Sequence, residues 1–142
     1  EEKEAENKPE IYDFTGRRVL LVEDNAINTE VATVVLESRG FTVDTAENGL
    51  RAIEMFSKSE AGFYDAILMD IRMPLMDGLT AAKNIRHLTN RDAGTVPIIA
   101  MTANAFDDDI EKSKAAGMNA HLAKPIEPER LFQVLYHFIL GQ

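Results

Sequence analysis

The chain has 142 residues, 24 acidic against 15 basic, for a formal net charge of -9 and a pI near 4.8, which argues against non-specific binding to nucleic acid or an anionic membrane. It has no cysteine and only three scattered histidines, which excludes disulfides and thiolate metal sites and makes a zinc site a poor expectation. It shows no signal peptide and no apolar run of bilayer length, so a cytoplasmic domain with a real core is expected.

Residues 1 to 10, EEKEAENKPE, are polar and mostly acidic. With the lead-in to Gly16 they predict an acidic flexible tail or linker remnant over 1–16, and a folded unit over 17–142. Arg18 to Val22 reads as a buried strand with Glu23 and Asp24 at its carboxyl end. A helix follows over Asn25 to Arg39, capped by Asp24 or Asn25 and stopped by Gly40. Phe41 to Thr45 alternates and predicts a second strand. Asn48 to Lys58 is helical, and Ala66 to Met69 is a short apolar run ending in Asp70. Pro74 and Asp77-Gly78 then break regular structure, so Asp70 lies at the floor of a loop before a helix over Leu79 to His87. After a polar loop come a strand over Val96 to Met101, a helix over Ala105 to Ala116, a strand over Met118 to Ala123 and a helix over Glu127 to Leu140. Strand and helix alternate five times, the pattern of a parallel sheet with helices on both faces.

Parallel strands place their carboxyl ends on one edge of the sheet, where open α/β sheets bind ligands. Four such ends here carry notable groups: Glu23-Asp24, Asp70, Met101-Thr102-Ala103 and Lys124-Pro125. Neighbouring strands lie about 4.8 Å apart. If the first and third strands are neighbours, three carboxylates converge. Two such charges about 4 Å apart repel by about 4 kcal/mol at an effective dielectric near 20, which calls for a cation. Oxygen ligands in an open site suit Mg²⁺ or Mn²⁺. A carboxylate, a hard metal, an ammonium from Lys124 and a hydroxyl from Thr102 make a phosphoryl-transfer site, in which the carboxylate can be the nucleophile, giving an aspartyl phosphate.

The motifs VEDN at 22–25, DIRMPLMDG at 70–78, MTA at 101–103 and KP at 124–125 resemble, in order and spacing, those of response-regulator receiver domains. The resemblance covers roughly residues 17–140. It implies a flavodoxin-like (βα)5 fold with strand order 2-1-3-4-5. It implies Asp70 as phosphoacceptor, with Glu23, Asp24, Asp70 and the main-chain carbonyl of Arg72 around Mg²⁺. Thr102 becomes the switch hydroxyl, and Ala103 and Lys124 the phosphate contacts. The donor is a histidine of a sensor kinase. The wording DNAIN and DIRMPLMDG is similar to receivers of hybrid sensor histidine kinases, which pass phosphate to a histidine phosphotransfer protein. Such a domain catalyses its own phosphorylation and dephosphorylation, while a hybrid parent is itself a kinase. The resemblance also implies a cis Lys124-Pro125 bond. One position departs: the family usually has Tyr or Phe where this chain has His121, which bears on the switch coupled to Thr102.

Two other functions compete. A phosphatase with an Asp nucleophile, of the dehalogenase-like kind, wants a second Asp two residues on, where this chain has Arg72. A degenerate receiver acting only as an interaction module would not need the full acidic set and Lys124. Asp107 to Asp109 read as first-turn acids that complement a helix dipole. Met69, Met73 and Met76 read as packing, and His87 as surface. On the first helix, Ile27, Val31, Val34 and Val35 form the expected core stripe. Ala32 and Leu36 widen the apolar arc beyond what one-sided burial needs. Part of that arc is either covered by the last helix or exposed beside Asp70, where the Asn28-Ala32 side would dock a partner's phosphohistidine helix.

Overall fold

Each apolar run between turn signals forms a strand in the computed structural model, which describes residues 12–103 and 107–141. The strands are β1 (Arg18–Val22), β2 (Thr42–Ala46), β3 (Ala66–Asp70), β4 (Ile98–Thr102) and β5 (Ala120–Ala123). They are parallel, in the order β2-β1-β3-β4-β5. The helices are α1 (Ala26–Glu37), α2 (Gly49–Ser57), α3 (Gly78–Arg86), α4 (Asp107–Ala115) and α5 (Pro128–Leu135), with a π-helical turn over Tyr136–Leu140. The flavodoxin-like order is therefore present, and β1 does lie beside β3. The side chains of Asp107 to Asp109 and the expected helix start at Ala105 lie outside the described residues.

β3 and β4 are buried along their whole length, as strands covered on both faces must be. Alternate residues feed two cores. Leu20, Val22, Ile67, Met69, Ile98 and Ala100 pack under α2 and α3 with Phe56 and Ile85. Leu21, Leu68, Ile99, Met101 and Leu122 pack on the other face with Leu36, Leu131, Phe132 and Leu135. Asn25, Asn48 and Asp77 cap α1, α2 and α3, each accepting a backbone N–H three residues on. Of the two caps the sequence allowed for α1, Asn25 is the one used.

Three expectations change. β4 starts at Ile98 rather than Val96, because the Pro97 carbonyl accepts the Ile67 N–H but its nitrogen has no hydrogen to donate. The stretch Tyr12–Gly16 is not loose. Phe14 is fully buried, its ring stacks on Phe41 at 4.4 Å, and its N–H donates to the Arg39 carbonyl at 2.7 Å. Gly40 permits this: its φ is +102°, and a Cβ there would meet the Thr15 nitrogen at 2.7 Å. Residues 1–11 lie outside the described part of the chain. The α1 core stripe is also shifted. Ile27, Val31 and Val34 are 71%, 59% and 62% exposed, while Leu36 is the fully buried position. Val35, the fourth member of the expected stripe, does pack on the core, and the helix turns Thr29, Ala32, Thr33 and Leu36 inward with it, a spacing of three and four that small residues meet as well as large ones.

Candidate functional site

β1 and β3 are neighbours with Val22 opposite Met69, so the residues that follow, Glu23-Asp24 and Asp70, emerge side by side. Their carboxylate oxygens lie within 4.8 Å of one another. Glu23 and Asp70 are buried and Asp24 is exposed, which gives the cluster a closed floor and an open mouth. The loop after Asp70 folds back on the strand end. The Gly78 N–H donates to the Ile71 carbonyl at 2.7 Å, and any Cβ at Gly78 would collide with the Asp70 carbonyl oxygen. Leu75, in that loop, holds a left-handed φ of 71° with its side chain in solvent.

Lys124 follows β5 and reaches across the edge. Its Nζ donates to Asp70 Oδ2 at 3.0 Å and to Glu23 Oε1 at 3.3 Å. Its own N–H donates to the Thr102 carbonyl at 2.8 Å, and the Lys124-Pro125 bond is cis. The Arg72 N–H donates to Asp70 Oδ1 at 3.2 Å. Burial raises the Asp70 carboxyl above the usual carboxylate range. The Glu23 charge raises it further, against the pull of Lys124 and the Arg72 N–H. Burial alone would lower the Lys124 ammonium, but the hydrogen bond and charge of Asp70, then of Glu23, leave it raised. One partly buried ammonium thus serves a cluster of three carboxylates and bonds two of them, and an all-oxygen donor set of net negative charge is what a hard divalent cation fits.

Of the remaining expected residues, Thr102 is buried at the end of β4, two strands from β1, and Ala103 is exposed just beyond it. His121 is half-buried on β5, beside a shallow recess it shares with Glu127 and Arg130. Asn28 was not singled out as a contributor to the acidic site. Its side-chain amide approaches Glu23 Oε2 at 3.5 Å, and the Asn25 N–H donates to the same oxygen at 3.2 Å. Its place in the first turn of α1, five residues after Glu23, was the available signal. Asn28 also stands at the mouth of a cavity of about 460 Å³ between α1 and the start of α5, which runs from Glu23 and Lys124 past Val31 and Ala32 to Leu131.

The site is thus a cluster of three carboxylates and a lysine at the carboxyl edge of a doubly wound parallel sheet, where such sheets bind ligands. The sequence profile described as the response regulator receiver domain matches residues 19–136, and the chain belongs to that family. It is therefore a receiver domain of two-component or phosphorelay signalling. It is 39% identical over 84% of its length to hybrid signal transduction histidine kinase I of Dictyostelium discoideum, covering 7% of that protein. It is 43% identical over 84% of its length to two-component system protein A of Emericella nidulans, covering 17% of it. The chain thus spans a small part of these relatives. Among solved structures it resembles the receiver domain of a sensor histidine kinase from Pseudomonas aeruginosa PAO1, whose active-site cleft holds a coordinated magnesium ion. That likeness has a TM-score of 0.79 and 41% identity, over 88% of this chain and 98% of the other. Among the described residues no helix is long and apolar enough to cross a membrane.

Proposed function

We propose that Asp70 accepts a phosphoryl group from a histidine of a kinase or phosphotransfer protein. An Asp70 carboxylate oxygen attacks phosphorus, the P–N bond breaks, and the imidazole nitrogen keeps the electron pair. The observation that carries this reading is the Lys124 Nζ to Asp70 Oδ2 contact at 3.0 Å inside the acidic cluster. A positive charge beside the nucleophile supports the reading, because it would stabilise the oxygens of an incoming phosphoryl group. Glu23, Asp24, Asp70 and the Arg72 carbonyl are the groups that would hold Mg²⁺ or Mn²⁺. When bound, such an ion offsets the charge of the carboxylates and of the incoming phosphoryl group. Thr102 and Ala103 stand at the end of β4, the strand beside β3, and the Thr102 hydroxyl and His121 are the switch candidates. Treatment with phosphoramidate and Mg²⁺, followed by borohydride reduction of the acyl phosphate, should convert position 70 alone to homoserine. Reduction at another acidic residue would overturn the assignment.

The partner surface follows from the corrected helix. Ile27, Val31 and Val34 are exposed on α1, the helix that begins at the acidic site. A soluble domain rarely leaves three large aliphatics of one helix in water without a partner for them. We take this stripe, with the cavity mouth at Asn28 and Ala32, as the seat of an amphipathic helix bearing the phosphohistidine. Val31→Glu should leave labelling by phosphoramidate unchanged and slow transfer from a phosphorylated histidine protein about tenfold or more, the effect of a charge in an apolar interface. Equal transfer rates would place the docking face elsewhere.

A further inference from the structure

Of the four helices whose starts are described, α5 differs in lacking a side-chain cap. Asn25, Asn48 and Asp77 cap α1, α2 and α3 with side-chain hydrogen bonds, but Glu127 makes none at the start of α5. At its other end the helix passes into the π-helical turn Tyr136–Leu140. Yet the three residues before Glu127 include Lys124, which bonds Asp70 and Glu23. The first turns of α5 also have two sides. Leu131 lines the cavity shared with Lys124, Pro125 and Ile126. Phe132, the next residue, lies 6.0 Å from the rings of both Phe14 and Tyr12. Tyr136, one turn on, lies 5.6 Å from Tyr12.

The chain that enters the domain is therefore fastened at two points of unlike character. Phe14 is fully buried, hydrogen-bonded through its backbone to Arg39 and stacked on Phe41. It is fixed to the turn between α1 and β2. Tyr12 is half-buried and packs its ring on Phe132 and Tyr136 of the α5 segment, next to Phe14. We propose that Tyr12 is an intramolecular sensor of α5: the segment before β1 docks on the last helix and relays the state of Asp70 to the chain that precedes the domain. The inference rests on the phosphoacceptor reading above. A phosphoryl group on Asp70 adds negative charge and bulk where Lys124 now bonds a bare carboxylate. Lys124 must re-aim, and Pro125 and Ile126 carry that shift into an uncapped helix start. A helix moves as a rod, so its Phe132–Tyr136 side shifts against Tyr12 while Phe14 stays in place. Both chain segments at this contact lie toward the amino ends of the strands, the pole opposite Asp70. A signal read there leaves the acidic edge free for a partner.

The test uses the 142-residue chain with 3-fluorotyrosine at its three tyrosines, assigned by single Tyr→Phe variants. Beryllofluoride with Mg²⁺ mimics the phosphoryl group. The Tyr12 fluorine resonance should move on saturation, and Tyr64, packed with Phe56 and Phe63 on the opposite side of the sheet, should not. Linkage requires the reverse effect as well, so Tyr12→Ala should change the beryllofluoride affinity about fivefold or more. Tyr12→Leu, which keeps apolar bulk, should retain more of the parental affinity. A still Tyr12 resonance, while the Asp70 and Lys124 amide signals report a bound mimic, would make the strap purely structural and overturn the inference. No response at Asp70 or Lys124 would instead remove the phosphoacceptor reading, and the inference with it.

Discussion

Removing the Lys124 ammonium should expose the electrostatic cost built into the site. Its Nζ lies 3.0 Å from Asp70 Oδ2 and 3.3 Å from Glu23 Oε1, and both carboxylates are about 95% shielded from solvent. At an effective dielectric near 20 each contact is worth about 5 kcal/mol of attraction before desolvation. Carboxylates 4.8 Å apart, the outer limit of this cluster, repel by about 3.5 kcal/mol per pair. Breaking a buried pair costs about 3–5 kcal/mol. Lys124 is a quarter exposed, so Lys124→Met should cost nearer 2–3 kcal/mol in metal-free buffer. For a domain of this size that lowers the melting temperature by about 10 °C. Two treatments should restore much of the loss. Mg²⁺ at a hundred times its dissociation constant adds about 2.7 kcal/mol to the folded state. Acid should help as well. Asp70 already titrates above its ordinary value in the folded chain, so the folded state binds its proton more tightly than the unfolded one. Stability therefore falls as pH rises from the unfolded value through the folded one, and is flat above both. Without Lys124 that window extends upward, and the gap between variant and parent should narrow on mild acidification. Urea melts in EDTA and in Mg²⁺, at neutral and mildly acidic pH, measure all three effects. A variant as stable as the parent in EDTA, or a deficit indifferent to metal and pH, would refute the electrostatic reasoning.

Asp24→Ala should abolish Mg²⁺-dependent labelling and raise the metal-free melting temperature, since Asp24 adds repulsion and no described ion pair; unchanged metal affinity, read by titration, would remove it from the cation site. Phe14→Ala should cost about 3–5 kcal/mol, the usual loss for a buried aromatic, and a melt within 1 kcal/mol of the parent, about the effect of a surface change, would return residues 12–16 to a dispensable tail. His121 lines the recess with Glu127 and Arg130, and its imidazole chemical shifts should differ with and without beryllofluoride; identical spectra would remove it from the switch candidates.

The fold and the acidic edge were legible because they rest on short-range signals. Short apolar runs between turn signals, and Asn or Asp before α1, α2 and α3, set strands and caps with little help from tertiary structure. The polar groups that matter stand at strand ends, so the parallel alternation alone brought Glu23, Asp24, Asp70, Thr102 and Lys124 to one edge. The inward face of α1 was not legible. A helical wheel weighs Ile27, Val31, Val34 and Val35 by hydropathy, yet the sheet surface under α1 accepts Thr29, Ala32, Val35 and Leu36 and leaves Ile27, Val31 and Val34 exposed. Nor was the strap. Phe14 and Tyr12 follow an acidic, low-complexity run, and only Phe41, Phe132 and Tyr136, distant in sequence, give their rings somewhere to pack.

The phosphoacceptor assignment is tested most directly by the intact mass of the parent and of Asp70→Asn after phosphoramidate and Mg²⁺. The parent should gain one phosphoryl group and the variant, folded by circular dichroism, none. An equal gain in the variant, or no gain in the parent at saturating donor and metal, would contradict the account.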